Sequence, residues 1–200
     1  MMDEDSYMVF DIETVPDVRY EEYTRMFPKS KKRPGLHAFL SRVVAIGVAT
    51  AKCAYILHEK TCVVADGDFV SERDLIEWFN RKCTSCPDAL LVGYNIKNFD
   101  IPFLRTRAAL LGASCSLPHR NSARIVDIYD LMGGKWQTDV SSGSLSELSW
   151  YLFGKPKDTG DGNQVATWFA NGDMDRIREH CQEDIEICEK LYRSYKGILF

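Results

Sequence analysis

The sequence predicts an α/β fold, a mixed sheet flanked by helices, in a single domain spanning residues 1–200. Three observations predict it. An aromatic and branched opening strand at residues 7–10 precedes two further strand-like runs joined by a short connection, the pattern of an antiparallel start to a sheet. A capped amphipathic helix from Ser71 then leads into a short apolar run at residues 89–95, so that strand, crossover helix and strand follow in turn. The last and most periodic segment, residues 174–195, reads as a long helix. At 200 residues, 45% of them hydrophobic, the chain is long enough to bury one full core.

Taken in order, residues 7–14 read Tyr-Met-Val-Phe-Asp-Ile-Glu-Thr: a buried strand that ends on two carboxylates. Residues 14–40 contain Pro16, Pro28, Pro34 and Gly35 and read as one long irregular stretch, of the length that is often functional. Lys29, Lys31, Lys32 and Arg33 within it form either a solvated loop tip or a phosphate-contacting arm. Residues 42–49 are β-branched, and residues 54–58 are expected to pair with them. Ser71 and Asp74 have capping-box spacing ahead of the stripe Leu75, Trp78 and Phe79. Residues 89–95 suit a central parallel strand covered on both faces. A helix follows from about Ile101 to Leu111, closed by Gly112, and residues 125–131 form a strand or a strand-to-helix junction. Ser144 starts another capped helix that ends near Gly154; a polar loop over 157–164 and a short helix over 165–170 precede the last helix.

Composition excludes several classes. The opening Met-Met-Asp-Glu-Asp-Ser is acidic, the opposite of a secretion leader, and no apolar run is long enough to span a bilayer, so a cytoplasmic protein without a membrane partner is expected. Seven cysteines in such a chain are expected to be reduced, and Cys83 and Cys86 have the spacing of half a zinc site with no second pair. The net charge of −4 looks unsuited to a nucleic-acid binder, but removing four metal-ligating carboxylates from the 29 acidic residues balances the 25 Lys and Arg.

Four carboxylates carry the chemistry. Residues i and i+2 of a strand point to one side, so Asp11 and Glu13 project together from a dry element. Such a pair needs a shared proton or a cation, and oxygen ligands suit Mg²⁺ or Mn²⁺; the plainer alternative is an acidic strand end in water. Asp100 lies at a helix start, where it also suits an N-cap. Asp184 interrupts the apolar stripe of the last helix, with His180 one turn earlier on the same side. Carboxylates that converge from separate elements are what two-metal phosphodiester hydrolysis requires.

Phe10-Asp11-Ile12-Glu13-Thr14-Val15-Pro16, then Gly93-Tyr94-Asn95 through Phe99-Asp100-Ile101-Pro102-Phe103-Leu104, then Cys181-x-x-Asp184 resemble in order the motifs of the DEDD 3′–5′ exonucleases of ribonuclease-H-like fold. More narrowly, the chain resembles the predicted exonucleases related to the proofreading domain of family-B DNA polymerases. Gly35-Leu36-His37 and Asp161-Gly162-Asn163-Gln164-Val165 also look like that family. The resemblance implies a ribonuclease-H-like mixed sheet and two divalent ions. Asp11, Glu13 and Asp184 would bind one ion, and Asp11 would bridge to a second supported by Asp100. It further implies that Thr14 and Val15 touch the 3′-terminal nucleotide and that Asn95 and Phe99 line the substrate channel, with Phe99 equally suited to the core; Asn163 and Gln164 are further contact candidates.

One departure stands out. The third motif of this group is usually Tyr-x-x-x-Asp, whereas here His180 holds the tyrosine position. The expectation is that His180 orients or deprotonates the attacking water, against the alternative of a cleft histidine without a proton role. His37, His58 and His119 are read as loop or surface residues. The expected activity is removal of nucleoside 5′-monophosphates from nucleic acid 3′ ends, single-stranded DNA favoured; RNA trimming and a degenerate binding module are the alternatives.

Overall fold

The computed structural model describes residues 6–28, 35–50, 61–65, 71–133, 143–160 and 162–199. The chain runs through β1 (Tyr7–Pro16), α1 (Tyr20–Met26), β2 (Ser41–Thr50), β3 (Thr61–Ala65), α2 (Glu72–Ser85) and β4 (Leu90–Gly93). It continues through α3 (Asp100–Leu111), β5 (Ile125–Asp127), α4 (Ile128–Leu131), α5 (Leu145–Phe153), a 3-10 turn (Gly162–Gln164), α6 (Val165–Asn171) and α7 (Met174–Leu199). The five strands form one sheet in the order β3-β2-β1-β4-β5. β1, β2 and β3 pair antiparallel, whereas β4 runs parallel to both β1 and β5. The expected mixed sheet is present, with β1 at its centre.

Two expectations change. The strand paired with the outer edge of β2 is β3; residues 54–58, where that strand was expected, lie outside the described residues, as do Lys29, Lys31, Lys32 and Arg33. The stretch over 14–40 is not wholly irregular. β1 continues to Pro16, at a strand end where proline's missing N–H costs least, and α1 then forms over Tyr20–Met26. The cysteine reading also needs correcting: Cys83, Cys115, Cys181 and Cys188 are free thiols, but Cys86 is disulfide-bonded and so is lost to any zinc site.

Alternation along β1 sorts its side chains onto two faces. Met8, Phe10 and Ile12 pack with Leu75, Phe79, Ile101 and Leu104 of α2 and α3, the Phe10 and Phe79 ring centroids lying 5.0 Å apart. Tyr7 and Val9 face the opposite way, against Cys181, Ile185, Cys188 and Tyr192 of α7. By the same alternation Asp11 and Glu13 face α7. Helix α7 packs against β1, β2, β3 and β4, and its close approach depends on one residue. A Cβ added at Gly47 of β2 would stand 2.2 Å from Ile185 Cδ1 and 2.6 Å from Cys181 Sγ. Gly47 is the register partner of Asp11, so the absence of a side chain there lets α7 lie against the carboxylate strand.

The caps follow the sequence. Ser71 Oγ accepts the Asp74 N–H, and Ser144 with Glu147 completes a full capping box. Between the helical layer of α2 and α3 and the 35–40 segment, the Arg107 guanidinium forks onto both Glu72 carboxylate oxygens, at 2.8 and 2.6 Å, and donates to Ala38 O at 3.1 Å. This buried pair ties the segment entering β2 to the body of the domain.

Candidate active site

A cleft of about 510 Å³ opens at the end of β1. Asp11, Glu13, Thr14, Asn95, Phe99, Asp100, His180 and Asp184 all line it, together with Gly35, Leu36 and Tyr94. β1 supplies Asp11, Glu13 and Thr14. Asp100 comes from the first turn of α3, and α7 supplies His180 and Asp184 on successive turns. Glu13, His180 and Asp184 each offer a ligand atom within 4.8 Å of the others, and so do Asp11, Glu13 and Cys181. His180 Nε2 lies 3.7 Å from Glu13 Oε1 and 3.7 Å from Asp184 Oδ2.

Asp100 stands slightly apart. It belongs to neither close group among the described residues, and its Oδ1 accepts the Ile12 N–H at 3.1 Å. Its carboxylate therefore braces the strand that carries Asp11 and Glu13; the cap of α3 is Phe99, not Asp100. Val15 does not line the cleft. On the same face of β1 as Asp11 and Glu13, Val15 is packed against α6 and α7, only 3% exposed beside Val44, Trp168 and Ile177, whereas Thr14 lines the cleft. Asn163 lines the cleft, whereas Gln164 does not.

Burial and mutual repulsion shape the electrostatics. Burial, then the neighbouring Glu13, Asp100 and Asp184, raises the Asp11 carboxyl well above its usual range. Burial, then Asp184, does the same to Glu13, with Lys157 acting against both shifts. Asp100 is pushed up to about 7, chiefly by burial, although its hydrogen bonds pull the other way. Glu13 Oε1 is buried and makes no hydrogen bond among the described residues. An oxygen-rich group of carboxylates whose proton affinity is raised by burial and mutual repulsion, with one buried oxygen that makes no hydrogen bond, fits a hard divalent cation.

Sequence reading missed one charge in this site. Lys157 is buried, and its ammonium pairs with Asp184 Oδ1 and lies 3.5 Å from His180 Nε2. A lysine at the edge of a polar loop gives no sequence signal of that kind; only a tertiary contact turns it inward. Thr159 and Glu183 were missed as well. Thr159 Oγ1 donates to Glu183 Oε2 at 2.6 Å, and its oxygen lies 2.9 Å from His180 Nδ1. A hydroxyl has one proton to give, and the carboxylate can only accept it, so Nδ1 of His180 is the donor to Thr159. The Nε2 lone pair is thereby left facing the carboxylates and the Lys157 ammonium. Burial, then Lys157, pushes the His180 pKa down to about 4, which keeps the ring neutral near pH 7. The ring edge rests on Trp168, with centroids 5.5 Å apart.

Asp127 is a fourth unforeseen participant. It is 1% exposed and accepts the N–H groups of Asn95 at 2.7 Å, Lys97 at 2.9 Å and Tyr129 at 3.0 Å. These bonds hold Asn95 at φ +61°, a left-handed conformation that asparagine tolerates, and so fix the cleft wall formed by Tyr94 and Asn95.

The layered α/β sheet with its carboxylates gathered at the end of the central strand is a ribonuclease-H-like architecture. The chain superposes on the family B DNA polymerase of the hyperthermophilic archaeon Pyrobaculum calidifontis with a TM-score of 0.68 over 94% of this chain and 24% of that one, at 18% identity. Residues 6–130 match the family described as DNA polymerase family B, exonuclease domain, and the chain belongs to that family. It is 26% identical over 141 residues to a DNA polymerase of Pyrococcus horikoshii, covering 62% of this chain and 11% of that protein. A DNA polymerase of Pyrococcus glycovorans is 25% identical over 141 residues, covering 62% and 18%. The chain thus spans less than a fifth of the length of the two Pyrococcus relatives and about a quarter of the Pyrobaculum one. The resemblance to proofreading-type 3′–5′ exonucleases read from the motifs is borne out, as is the fold. Among the described residues no helix is long and apolar enough to cross a membrane.

Proposed function

We propose that the chain works as one domain over residues 1–200, a 3′–5′ exonuclease that shortens single-stranded DNA from its 3′ end and releases nucleoside 5′-monophosphates. The observation that carries this reading is the convergence of Asp11, Glu13, Asp184 and His180 from β1 and α7 in one cleft, with the buried Glu13 Oε1 unpaired. Two Mg²⁺ or Mn²⁺ ions held by Asp11, Glu13 and Asp184, with Asp100 in support, would polarise the phosphate and promote ionisation of the attacking water.

The chain's own residues do the rest. His180 accepts a hydrogen bond from the attacking water at Nε2, its ring fixed by Thr159 and Glu183. With its pKa near 4 it orients the water more than it takes the proton. Thr14, tied by its hydroxyl to Gly35 O at 2.6 Å, meets the 3′-terminal nucleotide, while Asn95 and Phe99 line the same cleft. A frayed single strand is the substrate that can thread between them.

One observation favours a second reading. Lys157 already supplies a positive charge to Asp184, as in a site that holds strand ends without cutting them. Incubating labelled single-stranded DNA, duplex DNA and RNA with Mg²⁺ or Mn²⁺ decides between the two. The exonuclease reading expects stepwise release of mononucleotides, lost by about a thousandfold or more in Asp11→Ala. Preference for RNA would reassign the substrate; a folded, metal-loaded preparation that degrades no strand would leave the binding module. In the same assay His180→Ala should slow turnover at every pH, and His180→Tyr should restore part of it. Unchanged rates in both variants would remove His180 from the reaction.

A further inference from the structure

We propose that the aromatic rings of α1 and the 35–40 segment form a stacking platform for the unpaired bases of the strand whose 3′ end enters the cleft; this rests on the exonuclease reading above. Helix α1 buries none of its residues. Phe27 and Phe39 remain 51% and 58% exposed. They are not scattered. Phe27 meets Tyr23 at a centroid distance of 4.8 Å, Tyr23 meets His37 at 6.4 Å, and His37 meets Phe39 at 5.6 Å, with interplanar angles between 31° and 45°. Four rings thus follow one another in a contiguous series.

Continuity with the cleft and charge both identify the occupant. Gly35 and Leu36 line the cleft, and Gly35 is bonded to Thr14, so the series begins one residue beyond the cleft wall. The segment is held rigidly. Leu40 N–H donates to His37 O and Asp17 N–H to Leu40 O, each at 2.8 Å, and Arg107 holds Ala38 O. In sequence, residues 17–37 carry six Lys and Arg against three Asp and Glu, a local positive excess in a chain of net charge −4, with Lys29, Lys31, Lys32 and Arg33 among the residues outside those described. Rings on a stretch that is basic in sequence, adjoining the cleft, match a single-stranded polyanion with exposed bases, for which stacking is tolerant of sequence. His37 is therefore part of a ring series rather than an isolated loop histidine.

The test is direct binding. A 5′-fluorescein single-stranded oligodeoxynucleotide of about ten nucleotides and one of about three are titrated by anisotropy in EDTA, where nothing is cut. The affinity advantage of the longer strand should fall on the order of tenfold in Phe27→Ala and again in Phe39→Ala, and return in Phe27→Trp. An advantage that survives in the double variant overturns the platform. So does a double variant that loses only self-association in sedimentation, which would make the rings a contact between copies. Adding Mn²⁺ to the same preparations reports on the exonuclease reading separately: ring-dependent binding without cleavage keeps the platform and overturns only that reading.

Discussion

Removing the Lys157 ammonium while keeping its length, as in Lys157→Met, separates the electrostatics of this site from its packing. Lys157 lies with its side chain 4% exposed against Asp184, itself 10% exposed, and its charge lowers the proton affinity of both Asp11 and Glu13. Without it, three neighbouring carboxylates share a dry site with no positive charge. Deleting one member of a buried ion pair costs roughly 3–5 kcal/mol, because the partner is left uncompensated. For a domain of this size that corresponds to a fall in Tm of about 10–15 °C in EDTA near pH 8. A divalent cation restores the missing charge, so saturating Mn²⁺ or Mg²⁺ should raise the variant's Tm by more than the wild type's. At a hundredfold excess over Kd, binding alone contributes about 2.7 kcal/mol to either protein. Urea or thermal unfolding with and without metal measures both effects. A variant as stable as the wild type in EDTA, or one equally destabilised with and without metal, would refute the idea that Lys157 neutralises the carboxylates.

Two further predictions concern the scaffold of the site. In EDTA, Asp100 has its folded pKa raised from 3.8 to about 7, so its contribution to stability is intact below the unfolded value and is lost as pH rises towards 7. His180 works in the opposite sense, its pKa lowered from 6.5 to about 4, so its contribution is lost as pH falls through that window. Asp100→Asn, which keeps an acceptor for the Ile12 N–H, should therefore stabilise the metal-free protein near pH 8 by up to roughly 4 kcal/mol, at ~1.4 kcal/mol for each of about three pH units. A lower urea midpoint than the wild type at that pH would contradict the sign. Gly47→Ala drives a methyl group into Ile185 and Cys181 and should cost about 1–3 kcal/mol or more while weakening Mn²⁺ binding, because α7 must move off β1. Trimming Ile185 to Ala in the same chain should recover part of both losses, and full additivity of the two substitutions would argue against the clash.

The motifs at Asp11, Glu13, Asp100 and Asp184 were legible because each is a break in a local pattern: an acid at the end of an apolar strand, before a proline at a helix start, or inside an apolar helical stripe. The cap residues Ser71 and Ser144 were legible for the same local reason. Helix α1 was hidden because none of its residues is buried, so it leaves no periodic apolar stripe to read. Val15 shows the limit of period-two reasoning, which gives the face of β1 but not that α6 covers it there, with Trp168 packed beside Val15.

Lys157, Thr159, Glu183 and Asp127 were illegible for a different reason: their roles arise only when chain segments far apart in sequence are brought into contact. Asp127 lies 32 residues from Asn95 and Lys157 lies 23 from His180, separations at which no sequence spacing carries information. These four residues decide what the legible ones can do. Asp127 sets the backbone of Asn95, and Thr159 with Glu183 sets which nitrogen of His180 faces the acids. Lys157 sets how strongly those acids need a metal. A tyrosine at position 180 has no second ring nitrogen to anchor in this way. The substitution of histidine into the tyrosine spacing is therefore coupled to Thr159, and Thr159→Val should lower turnover in the wild type while leaving His180→Tyr unaffected. An equal effect of Thr159→Val on both backgrounds would show that the hydroxyl supports the loop rather than the ring.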